Sequence, residues 1–345
     1  MGVPFQNLTD TINHFTGNSK KGILAADESI GTIGKRFAKN SIESTFESRR
    51  SYRELLITTP SIEQFISGVI LSDETIHQST SEGKPFPEIL EKKNIITGIK
   101  VDKGTVPLPF FAGENVTEGL DNLHDRLSQY KRLGARFAKW RAVTKIGKEV
   151  PSMHTLRANA QVIARYASTC QELEIVPIVE PEILMDGSHT IEQCEEVTVA
   201  TLEMVFHTLF QAEVSFEHLI LKPNMILPGT DSVQKVSAQT VANKTLKALS
   251  IAVPSAVPVI AFLSGGQSAT TATEHLNAIC SINTRCKPWF LTFSFSRALQ
   301  EQPLTLWGGK NEKKEKAQEL FFHRAKCNSA ALQGLYSEAI ESELL

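Results

Sequence analysis

The chain has 345 residues, of which 41% are hydrophobic and 21% are charged, an ordinary composition for a globular protein with a large core. Its 36 basic and 38 acidic residues give a formal net charge of −2, and this balance offers no argument for a nucleic-acid or membrane partner. The five cysteines form no C-x-x-C pair, which indicates free thiols in a reducing compartment rather than disulfides or a zinc site.

The ends of the sequence carry no recognisable targeting signal. Residues 1–4 lack the basic and apolar regions of a signal peptide. Gln6 stands where a myristoylation motif requires serine or threonine. No apolar run approaches the roughly 18–20 residues of a membrane span. We therefore expect a cytoplasmic protein.

Eight short apolar runs alternate with longer amphipathic stretches. The predicted strands cover residues 22–26, 65–71, 95–101, 136–143, 175–179, 218–221, 257–263 and 289–295. Their spacing of roughly 30–40 residues allows one helix per crossover, and several are apolar throughout, as parallel strands buried on both faces are. The pattern predicts an α/β fold, a (β/α)8 TIM barrel. An open doubly wound sheet is the alternative, disfavoured because no G-x-G-x-x-G turn is present.

Two of the intervening stretches show clear helical periodicity. The first covers residues 153–170, and its apolar face contains Leu156, Ala160, Ile163, Ala164 and Ala167. The second has an apolar face made of Leu202, Val205, Phe206, Leu209 and Phe210. Because no linker rich in Pro, Gly or Ser divides the chain, we expect a single domain over residues 1–345, with 336–345 as a mobile tail.

Polar residues recur at or near the C-terminal ends of the predicted strands, the edge where barrel enzymes build their active sites. In chain order they are Asp27, Glu28 and Ser29, then Lys100 and Asp102, Lys139 and Arg141, Glu180 and Glu182, Lys222, Ser264, Gly265 and Gly266, and finally Ser294 and Arg297. Each alone is compatible with a structural ion pair. Their repetition at one end of successive strands predicts a shared reacting centre.

Lys222 follows the apolar run 219–221, so burial and a nearby cation, Lys139, are expected to lower its pKa. A neutral lysine amine attacks ketones to form Schiff bases. The alternative is a packing pair with Glu180 or Glu182. These two carboxylates alternate along a strand and share a face, and their proximity is expected to raise the pKa of one, which suits a general acid/base.

Two groups of residues suit phosphate binding. Gly265 and Gly266 follow the seventh predicted strand, where backbone N–H groups can approach an anion, and Arg297 completes a clamp. Lys100 and the pair Lys35-Arg36 form a second basic set. Two anion sites across one mouth imply a bisphosphorylated substrate. The scattered histidines contain no H-E-x-x-H motif, so we expect neither a metal nor another cofactor.

From Gly22 to about Tyr336 the chain resembles class I fructose-bisphosphate aldolases. The matching segments are KGILAADES (21–29), GIKVDKG (98–104), FAKWR (137–141), VPIVEPE (176–182), LKPNM (221–225) and FLSGGQS (262–268). Motifs of this specificity in this order do not arise from barrel architecture alone. The resemblance implies reversible cleavage of fructose 1,6-bisphosphate, a sugar-phosphate substrate, by a homotetramer.

The resemblance also implies residue roles. It assigns the Schiff base to Lys222, the acid/base step to Glu180 and orientation of the C4 hydroxyl to Asp27, with Lys139 and Glu182 as electrostatic partners. The C1 phosphate is assigned to four residues and the far phosphate to four others. These are Ser264, Gly265, Ser294 and Arg297 for the first, and Ser29, Thr32, Arg36 and Lys100 for the second.

Three departures from the family pattern stand out. Ser296 replaces a usual glycine beside Arg297 and is expected to crowd a phosphate-binding amide, and His218 replaces another glycine. Eukaryotic relatives end in a tyrosine that aids C3 proton exchange, whereas this sequence ends in Leu345 and Tyr336 lies upstream. We therefore expect C3 exchange to be slower or served by another group. The rival interpretations are another Schiff-base barrel acting on a monophosphate, such as a transaldolase or deoxyribose-phosphate aldolase, and an aldolase-like binding scaffold.

Overall fold

The structure is a computed structural model that describes residues 6–283 and 287–344. Its strands are β1 (Gly22–Ala26), β2 (Ile66–Leu71), β3 (Ile96–Lys100), β4 (Thr105–Pro107), β5 (Asn115–Thr117), β6 (Ala135–Thr144), β7 (Val176–Ile183), β8 (Ile220–Leu221), β9 (Val259–Phe262) and β10 (Phe290–Phe295). Eight of them form a closed parallel barrel in the order β1-β2-β3-β6-β7-β8-β9-β10, with β10 paired to β1. The predicted TIM barrel is therefore confirmed, and the open-sheet alternative is wrong.

Helices connect and surround these strands. They are α1 (Gln6–Thr16), α2 (Ile30–Lys39), α3 (Phe46–Thr58), α4 (Asp73–Ile76), α5 (Phe86–Lys92), α6 (Leu123–Arg132), α7 (Met153–Glu172), α8 (Ile191–Gln211), α9 (Ala238–Ala252), α10 (Ala269–Ser281), α11 (Arg297–Trp307), α12 (Lys314–Leu332) and α13 (Glu338–Glu341). Within the described ranges, no helix combines the length and the apolar character needed to cross a bilayer.

Three details differ from the sequence-based expectations. The sixth predicted strand starts later than expected, because His218 lies in a 3₁₀ helix (Phe216–His218) and β8 begins at Ile220. Phe210 does not belong to the buried face of α8, since it is 72% exposed while Leu202, Leu209 and their neighbours are buried. It follows the buried Leu209 and is turned roughly 100° around the helix axis from it, away from the buried face of α8. The hairpin of β4 and β5 was not predicted.

Alternation along the strands separates two apolar layers. Residues pointing away from the barrel axis, such as Leu24 on β1 and Trp140 on β6, pack with the surrounding helices. Residues pointing inward form a second cluster inside the barrel, which includes Ile23, Phe137 and Ile178. Because side chains of a strand alternate with a period of two, the residue two positions after each of these inward residues also faces the barrel interior.

The bottom of the barrel is filled by aromatic rings and by α1. Leu8, Ile12 and Phe15 of α1 are buried against the inward cluster. A Cβ on Gly98 of β3 would lie 2.2 Å from the ring of Phe137, so only glycine leaves room for this ring. Apolar packing thus closes the lower half of the barrel, and the polar inward residues lie at the upper end.

Candidate active site

All of the predicted site residues except Gly266 line one cavity of about 740 Å³. It lies at the C-terminal ends of the barrel strands. Asp27 follows the inward residues Ile23 and Ala25 of β1, while Lys222 follows Ile220 of β8 in the same alternation. The apolar pattern of each strand therefore determines which polar side chain enters the mouth.

Lys139 and Glu180 connect the centre of the site. Lys139 Nζ lies 2.9 Å from Asp27 Oδ2 and 2.8 Å from Glu180 Oε2. Lys222 Nζ lies 3.2 Å from Glu180 Oε1. All four side chains are at most 8% exposed. The cluster therefore contains two lysines and two carboxylates in a low-dielectric setting, where their interactions are strong.

The two lysines are shifted in opposite directions. Burial lowers the pKa of Lys222, and the charge of the neighbouring Lys139 lowers it further. The charges of Glu180 and Asp27 raise it, but they do not outweigh these effects. Burial also favours a neutral Lys139, but the charges of Asp27 and Glu180 outweigh burial and raise its pKa. Lys139 is thus the permanent cation, and Lys222 is the amine that is more readily deprotonated, as the sequence predicted.

The carboxylates do not behave as expected from the sequence. Burial raises the pKa of Glu180, but Lys139, Lys222 and Arg141 outweigh this and lower it below its ordinary value. Glu182, the other half of the expected pair, bonds instead to Arg141, whose Nε lies 2.5 Å from Glu182 Oε2. Glu180 therefore does not show the raised pKa expected for one member of the pair, because it faces cations.

The residues predicted for the C1 phosphate lie together on one side of the cavity. Arg297 Nη2 donates to the carbonyl oxygen of Gly265 at 2.5 Å, and Gly265 has a φ of +57°, a conformation that favours glycine. Ser294 Oγ is buried and has no hydrogen-bond partner among the described residues. A buried hydroxyl of this kind is available to a ligand.

Gly266 differs from the prediction. It does not line the cavity, and its N–H group donates to Met185 Sδ at 3.3 Å. The thioether sulfur, a weak acceptor, comes from the loop after β7. Only the first glycine of this turn therefore faces the mouth.

The second basic set comes from α2 and from the end of β3. Lys100 Nζ is 2.7 Å from Asp102 Oδ1, and Arg36 forms an ion pair with Glu28. Ser29 caps α2, because its Oγ accepts from the N–H of Thr32 at 3.3 Å. The hydroxyls predicted for phosphate binding thus also organise the first turn of α2.

Sequence reasoning missed several lining residues. They are Ser72, Asp73 and Glu74 after β2, Lys39 on α2, and Lys103, Gly104 and Thr105 after β3. The first three directly follow a predicted strand, so the strand-end rule applied to the second strand would have found them. Arg53 on α3, which pairs with Glu28 Oε2 at 2.5 Å, had no sequence signal because the contact links distant elements.

Two residues singled out in the sequence lie away from the mouth. His218 hydrogen-bonds to Thr9 of α1 and to Ser215, at the bottom of the barrel. Tyr336 donates its hydroxyl to Glu341 Oε2 at 2.7 Å. Neither lines the cavity. The expected mobility of 336–345 stays a prediction, although α13 lies within this segment.

One group of potential metal ligands lies outside the cavity. In the described ranges, only His323, Cys327 and Glu341 bring such atoms within 4.8 Å of one another. Arg324 Nη1 already binds both carboxylate oxygens of Glu341, at 2.5 and 2.6 Å. This cation competes with any metal at the site.

The cysteines form no disulfide among the described residues. Cys170, Cys194, Cys280 and Cys327 are free, which agrees with the prediction of free thiols. Cys286 lies outside the described residues, as do the N-terminal residues 1–5 that were read for targeting signals.

Comparison with known proteins identifies the family. The family model described as fructose-bisphosphate aldolase class-I matches residues 7–344. A cytosolic fructose-bisphosphate aldolase of Arabidopsis thaliana, number 4, is 52% identical over 93% of this chain and 82% of its own length. A probable class 1 fructose-bisphosphate aldolase of Xylella fastidiosa is 50% identical over 92% of this chain and 94% of its own.

A solved structure agrees with the sequence relatives. The fructose-bisphosphate aldolase of Plasmodium falciparum, crystallised with TRAP and a small-molecule inhibitor, superposes with a TM-score of 0.92. It is 45% identical and the match covers 96% of each chain. Fold, sequence and strand-end motifs thus agree over almost the entire length. The chain belongs to the class I fructose-bisphosphate aldolase family.

Proposed function

We propose that this chain cleaves fructose 1,6-bisphosphate reversibly to dihydroxyacetone phosphate and glyceraldehyde 3-phosphate, through a Schiff base on Lys222 in a single barrel domain. The observation that carries the proposal is the buried Lys222 amine, 3.2 Å from Glu180 Oε1, in a cavity also lined by the cationic side chains of Arg36, Lys100 and Arg297. Such a cavity suits a small substrate with an anionic group at each end.

Substrate binding uses the two phosphate regions. Ser264, Gly265, Ser294 and Arg297 hold the C1 phosphate, and Ser29, Thr32, Arg36 and Lys100 hold the far phosphate. In this binding mode the C2 ketone lies against Lys222. Holding both ends of the substrate fixes the reacting carbon against the amine, which lowers the entropic part of the barrier.

Schiff-base formation begins with attack of the neutral Lys222 Nζ on C2. The resulting carbinolamine loses its hydroxyl as water after Glu180 donates a proton to it. The attacking amine gives one proton to Glu180, which lies within hydrogen-bond distance and passes it to the C2 oxygen to form the carbinolamine hydroxyl. Glu180 then takes the second proton, the one that releases this hydroxyl as water, from solvent. The lowered pKa of Lys222 increases the fraction of amine in the reactive form.

Carbon–carbon cleavage follows from the iminium. Asp27 accepts the proton of the C4 hydroxyl, the C3–C4 bond breaks, and its electron pair moves to the iminium to give an enamine. Lys139 keeps Asp27 and Glu180 ionised in the buried site, since its charge lowers the pKa of both. Glu182 orients Arg141 through their 2.5 Å contact and adds to this electrostatic setting.

The cellular setting follows the relatives. Those of Arabidopsis thaliana and Cicer arietinum are named cytosolic or cytoplasmic isozymes, and the predicted cytoplasmic localisation agrees with theirs. The chain acts as a homotetramer, as the family resemblance implies. Light scattering of the purified protein tests this assembly, and a monomeric mass would refute it.

The activity is tested by assaying fructose 1,6-bisphosphate cleavage in the presence of a chelator, for the wild type, Lys222→Met and Lys244→Met. Lys244 lies on α9 and pairs with Glu195 outside the cavity, so it is the matched lysine control. We expect activity in the wild type and the control only. Comparison with a monophosphate substrate tests the rival barrel enzymes, and a wild type that cleaves neither would favour the binding-scaffold interpretation.

A further inference from the structure

Ser296 links several buried groups at the β1–β10 side of the mouth. It stands immediately before Arg297. Its Oγ donates to Glu28 Oε1 at 2.7 Å and accepts from Nη1 and Nη2 of Arg36, both at 3.2 Å. The hydroxyl therefore turns toward Glu28 and Arg36, and a glycine at this position would remove all three bonds.

The hydroxyl is itself held in place. Gln300, one turn later on α11, donates from Nε2 to Ser296 Oγ at 3.2 Å and to the carbonyl oxygen of Ala25 at 2.7 Å. The Tyr52 hydroxyl lies 3.2 Å from Gln300 Oε1. Ser296 is thus attached to β1 and α3, so its position is determined by the barrel rather than by a mobile loop.

The charges around Ser296 leave Arg36 as an available cation. Glu28 is buried between two guanidinium groups, those of Arg36 and Arg53. Burial raises the pKa of Glu28, but Arg53 and Arg36 outweigh it, so the carboxylate stays ionised. Arg53 is only 3% exposed and balances the charge of Glu28. The positive charge of Arg36, whose side chain is 20% exposed, therefore has no second carboxylate to balance it within this trio.

The geometry of Arg36 suits an anion in the cavity. A guanidinium has five N–H donors in a fixed plane, and the bonds to Glu28 and Ser296 use three of them. Donors remain for a phosphate. Glu28 contacts only Nη1 of Arg36, which leaves the guanidinium plane able to rotate. Ser296 contacts both Nη1 and Nη2 and so restricts this rotation.

We propose that Ser296 is a positioning residue that orients Arg36 for the phosphate distal to the ketone, and so sets the preference for a ketose bisphosphate over a ketose monophosphate. This inference rests on the proposed function. The expectation that Ser296 crowds a phosphate-binding amide stays a prediction beside it.

The first test compares kinetics with fructose 1,6-bisphosphate and fructose 1-phosphate for the wild type, Ser296→Ala and Ser296→Thr. Ser296→Ala should raise KM for the bisphosphate roughly tenfold, in line with loss of a hydrogen bond to a charged group, with kcat nearly unchanged. Values for the monophosphate, which lacks the distal phosphate, should stay within about twofold. Ser296→Thr, which keeps the hydroxyl, should retain most of the wild-type preference for the bisphosphate over the monophosphate. Ser296→Cys, similar in size but a weak hydrogen-bonding group, replaces the alanine variant if that variant does not fold.

The second test is a double-mutant cycle with Arg36→Ala. If Ser296 acts through Arg36, Ser296→Ala should produce no further loss in the Arg36→Ala background. Full additivity, an equal loss on both substrates, or an unchanged preference in Ser296→Ala would each overturn the proposal. A wild type that cleaves neither substrate would instead refute the proposed function, so the two failures are distinguishable.

Discussion

Lys222 Nζ and Glu180 Oε1 lie 3.2 Å apart, and neither side chain is more than 4% exposed. At this distance a proton can pass directly between the amine and the carboxylate. Burial lowers the pKa of Lys222, while three cations hold Glu180 ionised in the free enzyme. The site therefore begins the reaction with a proton acceptor next to its nucleophile.

The pH dependence of Lys222 reactivity follows from its shifted pKa. Only the neutral amine reacts, so reactivity rises with pH through the pKa of Lys222, which lies below the ordinary 10.5. Competitive acylation followed by mass spectrometry measures this midpoint, with an exposed lysine such as Lys92 as the internal reference. Glu180→Gln should move the midpoint lower, because the Glu180 charge raises the pKa of Lys222. A midpoint at or above 10.5 in the wild type would contradict the proposed nucleophile.

Replacement of Glu180, the proposed carrier of the proton, should slow turnover. Glu180→Gln keeps the shape and a polar contact but cannot exchange a proton, so we expect kcat to fall by roughly 10²–10⁴-fold. Glu195→Gln is the control, since Glu195 is a carboxylate bound to Lys244 and Lys247 outside the cavity. Steady-state kinetics checks both variants. A loss below threefold in Glu180→Gln would exclude it as the acid/base.

Loss of Lys139 should lower the free energy of unfolding. Lys139→Met leaves Asp27 and Glu180 buried without their shared cation, which should cost about 3–5 kcal/mol in the free energy of unfolding. In contrast, Lys244→Met removes a partly exposed ion pair and should cost at most about 1 kcal/mol. Urea unfolding at neutral pH measures both values, and equal costs in the two variants would contradict the central role of Lys139.

The stability difference caused by Lys139→Met should depend on pH. The pKa of Asp27 and that of Glu180 are lowered in the folded wild type, so their contribution is present above their unfolded values near 4 and is lost as pH falls below them. Without Lys139 the folded values rise, and acid protonates the carboxylates more readily. The difference between wild type and variant should therefore be present at pH 7 and shrink as pH falls below about 4, toward the lowered folded pKa values of these carboxylates. A constant difference would refute this linkage.

The unpartnered hydroxyl of Ser294 predicts opposite effects on binding and stability. Ser294→Ala should raise KM for fructose 1,6-bisphosphate, yet leave the free energy of unfolding unchanged or slightly increased, because no hydrogen bond to the protein is lost. Thr273 is the matched control: its buried hydroxyl bonds to Ala269, Asn328 and Arg324. Thr273→Ala should cost about 1–3 kcal/mol with unchanged KM. An unchanged KM together with a lower free energy of unfolding in Ser294→Ala would exclude Ser294 as a phosphate-binding residue.

The sequence was sufficient to predict the barrel and the centre of the site. The barrel prediction rests on eight apolar runs spaced for one crossover helix each, and the prediction of the site rests on the polar residues, such as Lys222, at the ends of those runs. The apolar runs also marked where each strand ends, apart from β7, which continues to Ile183 and carries Glu180 and Glu182 within the strand.

The electrostatic details required the three-dimensional structure. Whether Glu180 faces Glu182 or cations depends on the position of Arg141 on the neighbouring strand, which pairs with Glu180 in register. The pair of Glu28 with Arg53 joins β1 to α3, and no local pattern signals such a contact. The contact between the Gly266 N–H group and Met185 of another loop is likewise not signalled by any local pattern.

The central claim is a covalent intermediate on Lys222, and borohydride trapping in the presence of dihydroxyacetone phosphate tests it most directly. Reduction converts the iminium into a stable secondary amine, and peptide mapping then locates the modified lysine. We predict a single label on the peptide that contains Lys222, with loss of activity in proportion to labelling, and no label in Lys222→Met. A label on Lys139, Lys100 or another lysine, or no substrate-dependent label in an active enzyme, would contradict the account.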